Sequence, residues 1–322
     1  MKDERLKMNM KKIMMVVTML YMCIAADARI PDFPDYIDDQ GLLYKEFRDD
    51  RTNEDIPGHK GEVQLWGFED RDDKVVEKFE KLKVLRVPAV VKARRIDGQK
   101  TETLRVTAID GHAFRGMPNL EEIFLPEGIT YINPFALGDI PAKIIHIPAS
   151  MKKLYMSSFK SYNSKWEKVL IAKNHPTHCD INGVVYTKDK KTLCVCPKQH
   201  REKVIIPATV REIADEAFEE AANIKTITLP NGVVKVGKSA FYDSNIESIT
   251  LPATLKEMGK NSLNCCKQLK TIRCKAATPP AVAEDHLWGL QLDTLTVYIP
   301  KGSTELYRQA DWWKNIKNYV EE

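Results

Sequence analysis

The chain has 322 residues, long enough for two ordinary domains or one elongated array, and its 49 Lys+Arg against 45 Asp+Glu leave a formal charge of +4. Five basic and three acidic residues fall within residues 1–28, so the remainder carries only about +2, dispersed among side chains of both signs. That balance does not call for nucleic acid as a partner.

In chain order, Lys11-Lys12 precedes an apolar run over residues 13–26 that ends in Ala26-Asp27-Ala28. A basic start, a short apolar core and a small-x-small site predict a signal peptide over residues 1–28 and an exported protein. The run is too short to span a bilayer comfortably. Leu20-Tyr21-Met22-Cys23 superficially resembles a bacterial lipoprotein box, but Met22 is larger than the residue such a box places before its cysteine. Residues 29–100 form a lead-in and capping region. Within it, Asp39-Gln40-Gly41-Leu42-Leu43-Tyr44 predicts the first arm of a hairpin, the charge-dense stretch over residues 48–80 predicts loops and one short helix, and Val84-Leu85-Arg86-Val87-Pro88 is a degenerate strand-and-proline unit.

From about residue 101 to 300 the chain repeats. Asn223-Ile224-Lys225-Thr226-Ile227-Thr228-Leu229-Pro230 is followed twenty-two residues later by Asn245-Ile246-Glu247-Ser248-Ile249-Thr250-Leu251-Pro252. The same cadence marks Pro126, Pro148, Ala172, Pro207, Pro230, Pro252, Lys275 and Pro300, at steps of 22, 24, 35, 23, 22, 23 and 25 residues. A period in the twenties belongs to solenoids rather than to globular enzyme cores. Ahead of each column residue apolar side chains alternate, as in Ile145 and Ile147, Ile227 and Leu229, Ile249 and Leu251, Val297 and Ile299. That alternation predicts a short strand with one buried face, ended by a proline that has no N–H to donate.

Three and six residues beyond the column stand Ile129 and Ile132, Met151 and Leu154, Val210 and Ile213, Val233 and Val236, Leu255 and Met258. Ten and eleven beyond stand Ala136-Leu137, Ser158-Phe159, Ala217-Phe218, Ala240-Phe241 and Ser262-Leu263. A lead-in unit of Ile109, Ala113-Phe114, Leu120, Ile123 and Leu125 fits the same pattern. One unit buries too little apolar surface to offset its own backbone entropy. Stacking removes that deficit, because successive strands pair in parallel about 4.8 Å apart and each unit covers the next.

These motifs resemble the BspA-type bacterial leucine-rich-repeat surface proteins, over residues 103–322. The resemblance implies an α/β-type repeat solenoid, a leucine-rich-repeat-like stack of 22–25-residue units with parallel short strands. The 35-residue step holds an insertion over residues 174–203, in which Val184 to Thr187, Lys188 to Lys191 and Leu193 to Cys196 predict an arm, a turn and a second arm. Gly183-Val184-Val185-Tyr186 and Pro197 match an element that the family carries between repeats, which makes the insertion a decoration and not a catalytic domain. Residues 301–322 resemble the family's ending, with Ser303 as N-cap, Leu306 and Tyr307 packing inward, and Trp312 and Trp313 covering the last coil.

Cleavage after Ala28 would leave six cysteines, an even count that invites disulfides in an exported chain. Their positions argue otherwise: Cys274 falls in the inward column of Leu229 and Leu251, Cys265-Cys266 precedes a strand, and Cys194 and Cys196 share one face of another, with a Cys179 pairing to either left open. His175-Pro176-Thr177-His178-Cys179 with Cys194 and Cys196 is the best metal candidate, but its spacing matches no recognised zinc pattern, and solvated loop histidines are expected instead. Walker, GxGxxG, HExxH and GxSxG motifs are absent, as is any Asn-x-Ser/Thr acceptor. Neither a cofactor nor catalysis is expected.

If Ile227 and Leu229 point inward, Thr226 and Thr228 point out. The same alternation exposes Glu122 and Phe124, Ile144 and His146, Lys168 and Leu170, Lys203 and Ile205, Ser248 and Thr250, Thr271 and Arg273, and Thr296 and Tyr298. Eight strands would make one ribbon roughly 35 Å long, apolar and mixed in its N-terminal half and rich in hydroxyls in its C-terminal half. The expected function is non-enzymatic binding through this face. The resemblance implies adhesion at a bacterial cell surface or from a secreted form, to a host matrix or cell-surface protein or a glycan. The alternative is a structural or assembly component of the envelope that binds a sister protein or glycan.

Overall fold

In the computed structural model of the chain, residues 34–46, 61–68, 70, 72–98, 100–111, 113–133, 136–137, 140–152, 154, 159, 164–283 and 287–322 are described. The expected signal peptide over residues 1–28, with Cys23, and Ser158 of the small-aromatic pair lie outside them.

Each proline-column unit carries its apolar side chains inward. Ile123, Ile145, Val169, Ile227, Ile249, Ile272 and Val297 are all buried, as are the small-Phe pairs Ala217-Phe218 and Ala240-Phe241. The strands ahead of the column stack in parallel, as the period required. Val84–Arg86, Glu122–Phe124, Ile144–Ile147 and Lys168–Ile171 form one sheet; Thr226–Thr228, Ser248–Leu251, Thr271–Cys274, Thr296–Ile299 and Asn318–Glu321 form another. The repeat stack is therefore present, and it is made mostly of strand. Among the described residues, α-helix is confined to Asp73–Glu80 and Thr304–Gln309.

A second, unanticipated ribbon lies behind the first. Ile213, Val236 and Met258, each six beyond its column residue, sit in two-residue strands, and Glu212–Ile213, Lys235–Val236, Glu257–Met258 and Ala281–Val282 pair in parallel. A third ladder runs through the turns. Glu216, Phe218 and Glu220 donate N–H bonds to the carbonyls of Lys238, Ala240 and Tyr242 (2.8, 2.6 and 2.8 Å), and Ser239, Phe241 and Asp243 do the same to Lys260, Ser262 and Asn264 (each 2.9 Å). Equivalent non-glycine residues hold left-handed φ in successive coils: 58°, 51° and 59° at Glu216, Ser239 and Asn261. The strain this costs is offset because every such turn lends its backbone to the coil beside it.

The N-terminal end is sealed by a closed ring of strands. Glu62–Phe68, Leu42–Glu46, Tyr36–Ile37, Val90–Arg95 and Thr101–Ile109 pair in that order, and Thr101–Ile109 returns to Glu62–Phe68. A ring leaves no free edge. Leu42, Leu43 and Tyr44 form the first arm of an antiparallel pair with Glu62–Phe68, as expected, and also the second arm of a hairpin that starts at Tyr36, with Asp38 accepting from Leu42 N–H at 2.9 Å to close the turn. The expected short helix is Asp73–Glu80, capped by the Asp72 carboxylate. At the other end Trp312 and Trp313 are buried over the last coil, and Trp313 donates to the Pro280 carbonyl at 2.8 Å. Tyr307 packs inward as expected, but Leu306 is 52% exposed. Ser303 makes no side-chain cap; the Glu321 carboxylate takes the Thr304 N–H and hydroxyl instead.

The insertion departs furthest from expectation. It has an additional arm, so His178–Ile181, Val184–Thr187 and Thr192–Val195 form a three-stranded meander whose last strand begins the rear ribbon. Far from decorating the surface, this meander is a septum. Val184, Tyr186, Leu193 and Cys196 pack into the C-terminal core, while Val185, Cys194 and Val195 pack into the N-terminal core. Alternation along a strand sends successive side chains to opposite faces, and in this strand both faces are interior. The alternation breaks between Cys194 and Val195, which both face the N-terminal core, so Cys194 and Cys196 lie on opposite sides, not on one face; all six described cysteines are unpaired.

Candidate functional site

The septum also decides where the front ribbon breaks. Lys168–Ile171 offers its free edge toward the next coil, but Val169 N–H is taken by the Gly183 carbonyl at 3.0 Å and Ile171 N–H by Asp180 Oδ1 at 2.8 Å. Gly183 has φ of 85°, and a Cβ on it would lie 2.6 Å from that of Lys168, so the turn fits only as glycine. With that edge occupied, residues 203–206 form no strand. The single eight-strand ribbon expected from the sequence is therefore two sheets, of four and five strands. Lys203 is exposed and Ile205 is 68% exposed at the seam between them.

In the first sheet the register aligns Val84, Glu122, Ile144 and Lys168 in one outward row and Arg86, Phe124, His146 and Leu170 in the other. Parallel strands about 4.8 Å apart bring aligned flat groups to stacking distance. The Arg86 guanidinium lies 3.7 Å from the Phe124 ring centroid, and the Phe124 and His146 rings stack at 3.8 Å and 13°. Glu122 Oε1 meets His146 Nε2 at 2.7 Å, and Lys168 pairs with Glu202. Phe124 is thus not an open apolar platform. Both its faces are covered by neighbours in its own row, and it presents an edge.

The second sheet aligns Thr226, Ser248, Thr271, Thr296 and Asn318, with Thr228, Thr250, Arg273, Tyr298 and Val320 beside them. Thr226 and Thr228 are exposed, and the Arg273 guanidinium lies 4.7 Å over the Tyr298 ring and 3.2 Å from the Glu322 carboxylate. The sequence reading missed Arg86, the partner that closes the Phe124 stack, although Arg86 stands two residues before Pro88 as Phe124 stands two before Pro126. It also missed the last strand, Asn318–Glu321, for which no proline marks the column.

The metal candidate is otherwise engaged. His175 is buried, with Nε2 at 2.8 Å from the Met151 carbonyl and Nδ1 facing the N–H groups of Thr177 and His178 at 3.3 and 3.1 Å; it is a structural tie rather than a solvated loop histidine. Cys179 donates to the Thr187 carbonyl. No group of three or more His, Cys, Asp or Glu among the described residues could hold a metal ion. Burial pushes the Cys266 thiol up to about 11 and that of Cys194 to about 12, so neither is a thiolate nucleophile at neutral pH. Among the described residues no helix is long and apolar enough to cross a membrane.

The family described as "BspA type Leucine rich repeat region" matches in six copies over residues 100–180 and 196–309. Among solved structures, a leucine-rich repeat protein from Eubacterium ventriosum aligns at 16% identity and a TM-score of 0.44, over 87% of this chain and 82% of that one. The pneumococcal vaccine antigen PcpA aligns at 15% identity and a TM-score of 0.44, over 91% of this chain and 100% of that one. A leucine rich cell surface protein from Faecalibacterium prausnitzii aligns at 13% and 0.37, over 90% and 96%. No curated protein sequence matches the chain.

Proposed function

Because the chain belongs to the BspA-type leucine-rich-repeat family, we propose that it is an exported, non-enzymatic binding protein of the bacterial cell surface whose front ribbon docks a macromolecular partner by adhesion. The observation that carries this reading is the outward row itself. Seven strands that the repeat predicts, joined by Val84–Arg86 and Asn318–Glu321, turn alternate side chains away from the core across two adjoining parallel sheets. The insertion, which could have covered them, packs on a strand edge and between the cores. A rigid, two-sheet face with fixed side-chain rows suits a protein or glycan surface better than a small metabolite.

The test is capture of host matrix proteins, host cells and envelope extracts by the intact protein and by two ribbon variants. Phe124→Ala with Ile144→Ser strips the first sheet, and Thr228→Lys with Thr250→Lys charges the second. Loss of capture in either folded variant supports the face. Unchanged capture in both sinks it. Retention of envelope extracts but not host proteins assigns the face to envelope assembly.

A further inference from the structure

Where the front ribbon breaks, it leaves a pocket. Val184 and Tyr186 of the septum form one wall, and Val204, Ile205 and Pro207 of the segment that failed to become a strand form the other, enclosing about 240 Å³. His200 lines it and is 1% exposed. Its Nδ1 lies 3.0 Å from the Glu167 carbonyl, which can only accept, so that nitrogen carries the proton. In the neutral ring Nε2 is then a lone-pair acceptor, and it has no partner among the described residues. Asn182 and Lys203 also line the pocket, yet the buried acceptor is left unpaired beside its apolar walls, which requires an explanation.

We propose that this pocket receives a tyrosyl side chain of the partner protein, its ring between the septum and residues 204–207 and its phenol O–H donating to His200 Nε2. The fixed tautomer demands a donor, the apolar walls demand a ring or chain, and the volume suits a single aromatic ring. A serine or threonine hydroxyl is too short to bring apolar surface with it, and a lysine ammonium would leave water for hydrocarbon walls. Tyrosine combines both requirements and is among the residues that anchor protein interfaces. Lys203 and the 68% exposed Ile205 border the opening, and Glu202 beside them pairs with Lys168 of the outward row. The inference rests on the ribbon reading for where the partner lies, and it narrows that partner to a protein.

The experiment titrates intact protein with p-cresol, toluene, N-acetyl-tyrosinamide and a methyl glycoside, following the His200 ring nitrogens by NMR. The expected result is binding of p-cresol and N-acetyl-tyrosinamide, with toluene roughly five- to tenfold weaker. His200→Asn keeps an N–H for the Glu167 carbonyl but, being shorter, leaves no acceptor at the Nε2 position, and brings p-cresol down to the toluene level; His200→Gln, which restores an acceptor near the Nε2 position, recovers part of the difference. Val204→Phe, which fills the pocket from its wall, abolishes binding and serves if the histidine variants do not fold. Equal binding of p-cresol and toluene, p-cresol binding that survives His200→Asn, binding of p-cresol without N-acetyl-tyrosinamide, binding of the glycoside alone, or no binding because a fixed water holds Nε2 would each overturn the proposal. Probe binding is measured without the partner, so an unchanged capture by the ribbon variants beside intact phenol binding would fault the ribbon reading alone.

Discussion

Between Val84 and Ile171 the outward face is a stacked column, Arg86 on Phe124 on His146 with Glu122 beside it, whereas between Thr226 and Ile299 it is a ladder of short hydroxyls interrupted by Arg273 on Tyr298. The interiors differ as well. The C-terminal coils repeat the same left-handed turn positions and stack Phe218 on Phe241 at 5.0 Å and 8°, while the N-terminal coils share their core with the closed ring. Regular repetition lets a coil be held by its neighbours alone. Irregular coils need a non-repeating lid, and the septum lets both arrangements coexist by giving each half its own hydrocarbon core.

The sharpest way to break this comparison is to make a hole in one half. Phe241→Ala, at a fully buried position, should cost about 3–5 kcal/mol. Native-state hydrogen exchange should place that loss in the coils beyond the septum, with Leu65 and Ile123 still protected. Equal loss of protection on both sides would show one cooperative body and remove the distinction.

A smaller effect separates the two faces. Phe124→Ala removes a cation–π contact and a ring stack and should destabilise by about 0.5–1.5 kcal/mol, measured by denaturant titration. Thr228→Ala, exposed and without a side-chain partner among the described residues, should stay within about 0.5 kcal/mol. If the two shifts are equal, the column is not held together as described.

The smallest effect is a pH dependence at the septum's first arm. Burial, with His175 close by, lowers the pKa of His178 below the usual histidine value. The unfolded chain therefore takes up that proton first, so its contribution to stability is intact above about pH 6.5 and is lost progressively as the pH falls toward the depressed folded value. His178→Gln should flatten that part of the stability profile. A profile identical to that of the parent would assign the slope to other groups.

The inward columns were legible because burial of one face forces a period on the residues. The spacing alone places Ile227, Leu229, Val233, Val236, Ala240 and Phe241 in the core, and Cys274 with them. What stayed hidden depended on which backbone edge meets which. Nothing in Lys203 or Ile205 announces that Gly183 and Asp180 have already taken the edge their strand needed, and nothing in the motif Gly183-Val184-Val185-Tyr186 says that both of its faces are interior. The Arg86–Phe124–His146 column was half visible: alternation placed Phe124 and His146 outward, but only the parallel register set their rings face to face.

The amino-acid order by itself determined that this chain stacks in coils, which side chains those coils bury and which they turn outward, because hydrophobic spacing is a local property that stacking merely repeats. Only the tertiary structure decided that the stack is parted by a septum, that the front ribbon is two sheets with a pocket at their seam, and that the N-terminal residues close into a ring. Each of those outcomes is a competition among distant N–H and C=O groups for one free edge, and such a competition is resolved in space rather than along the chain.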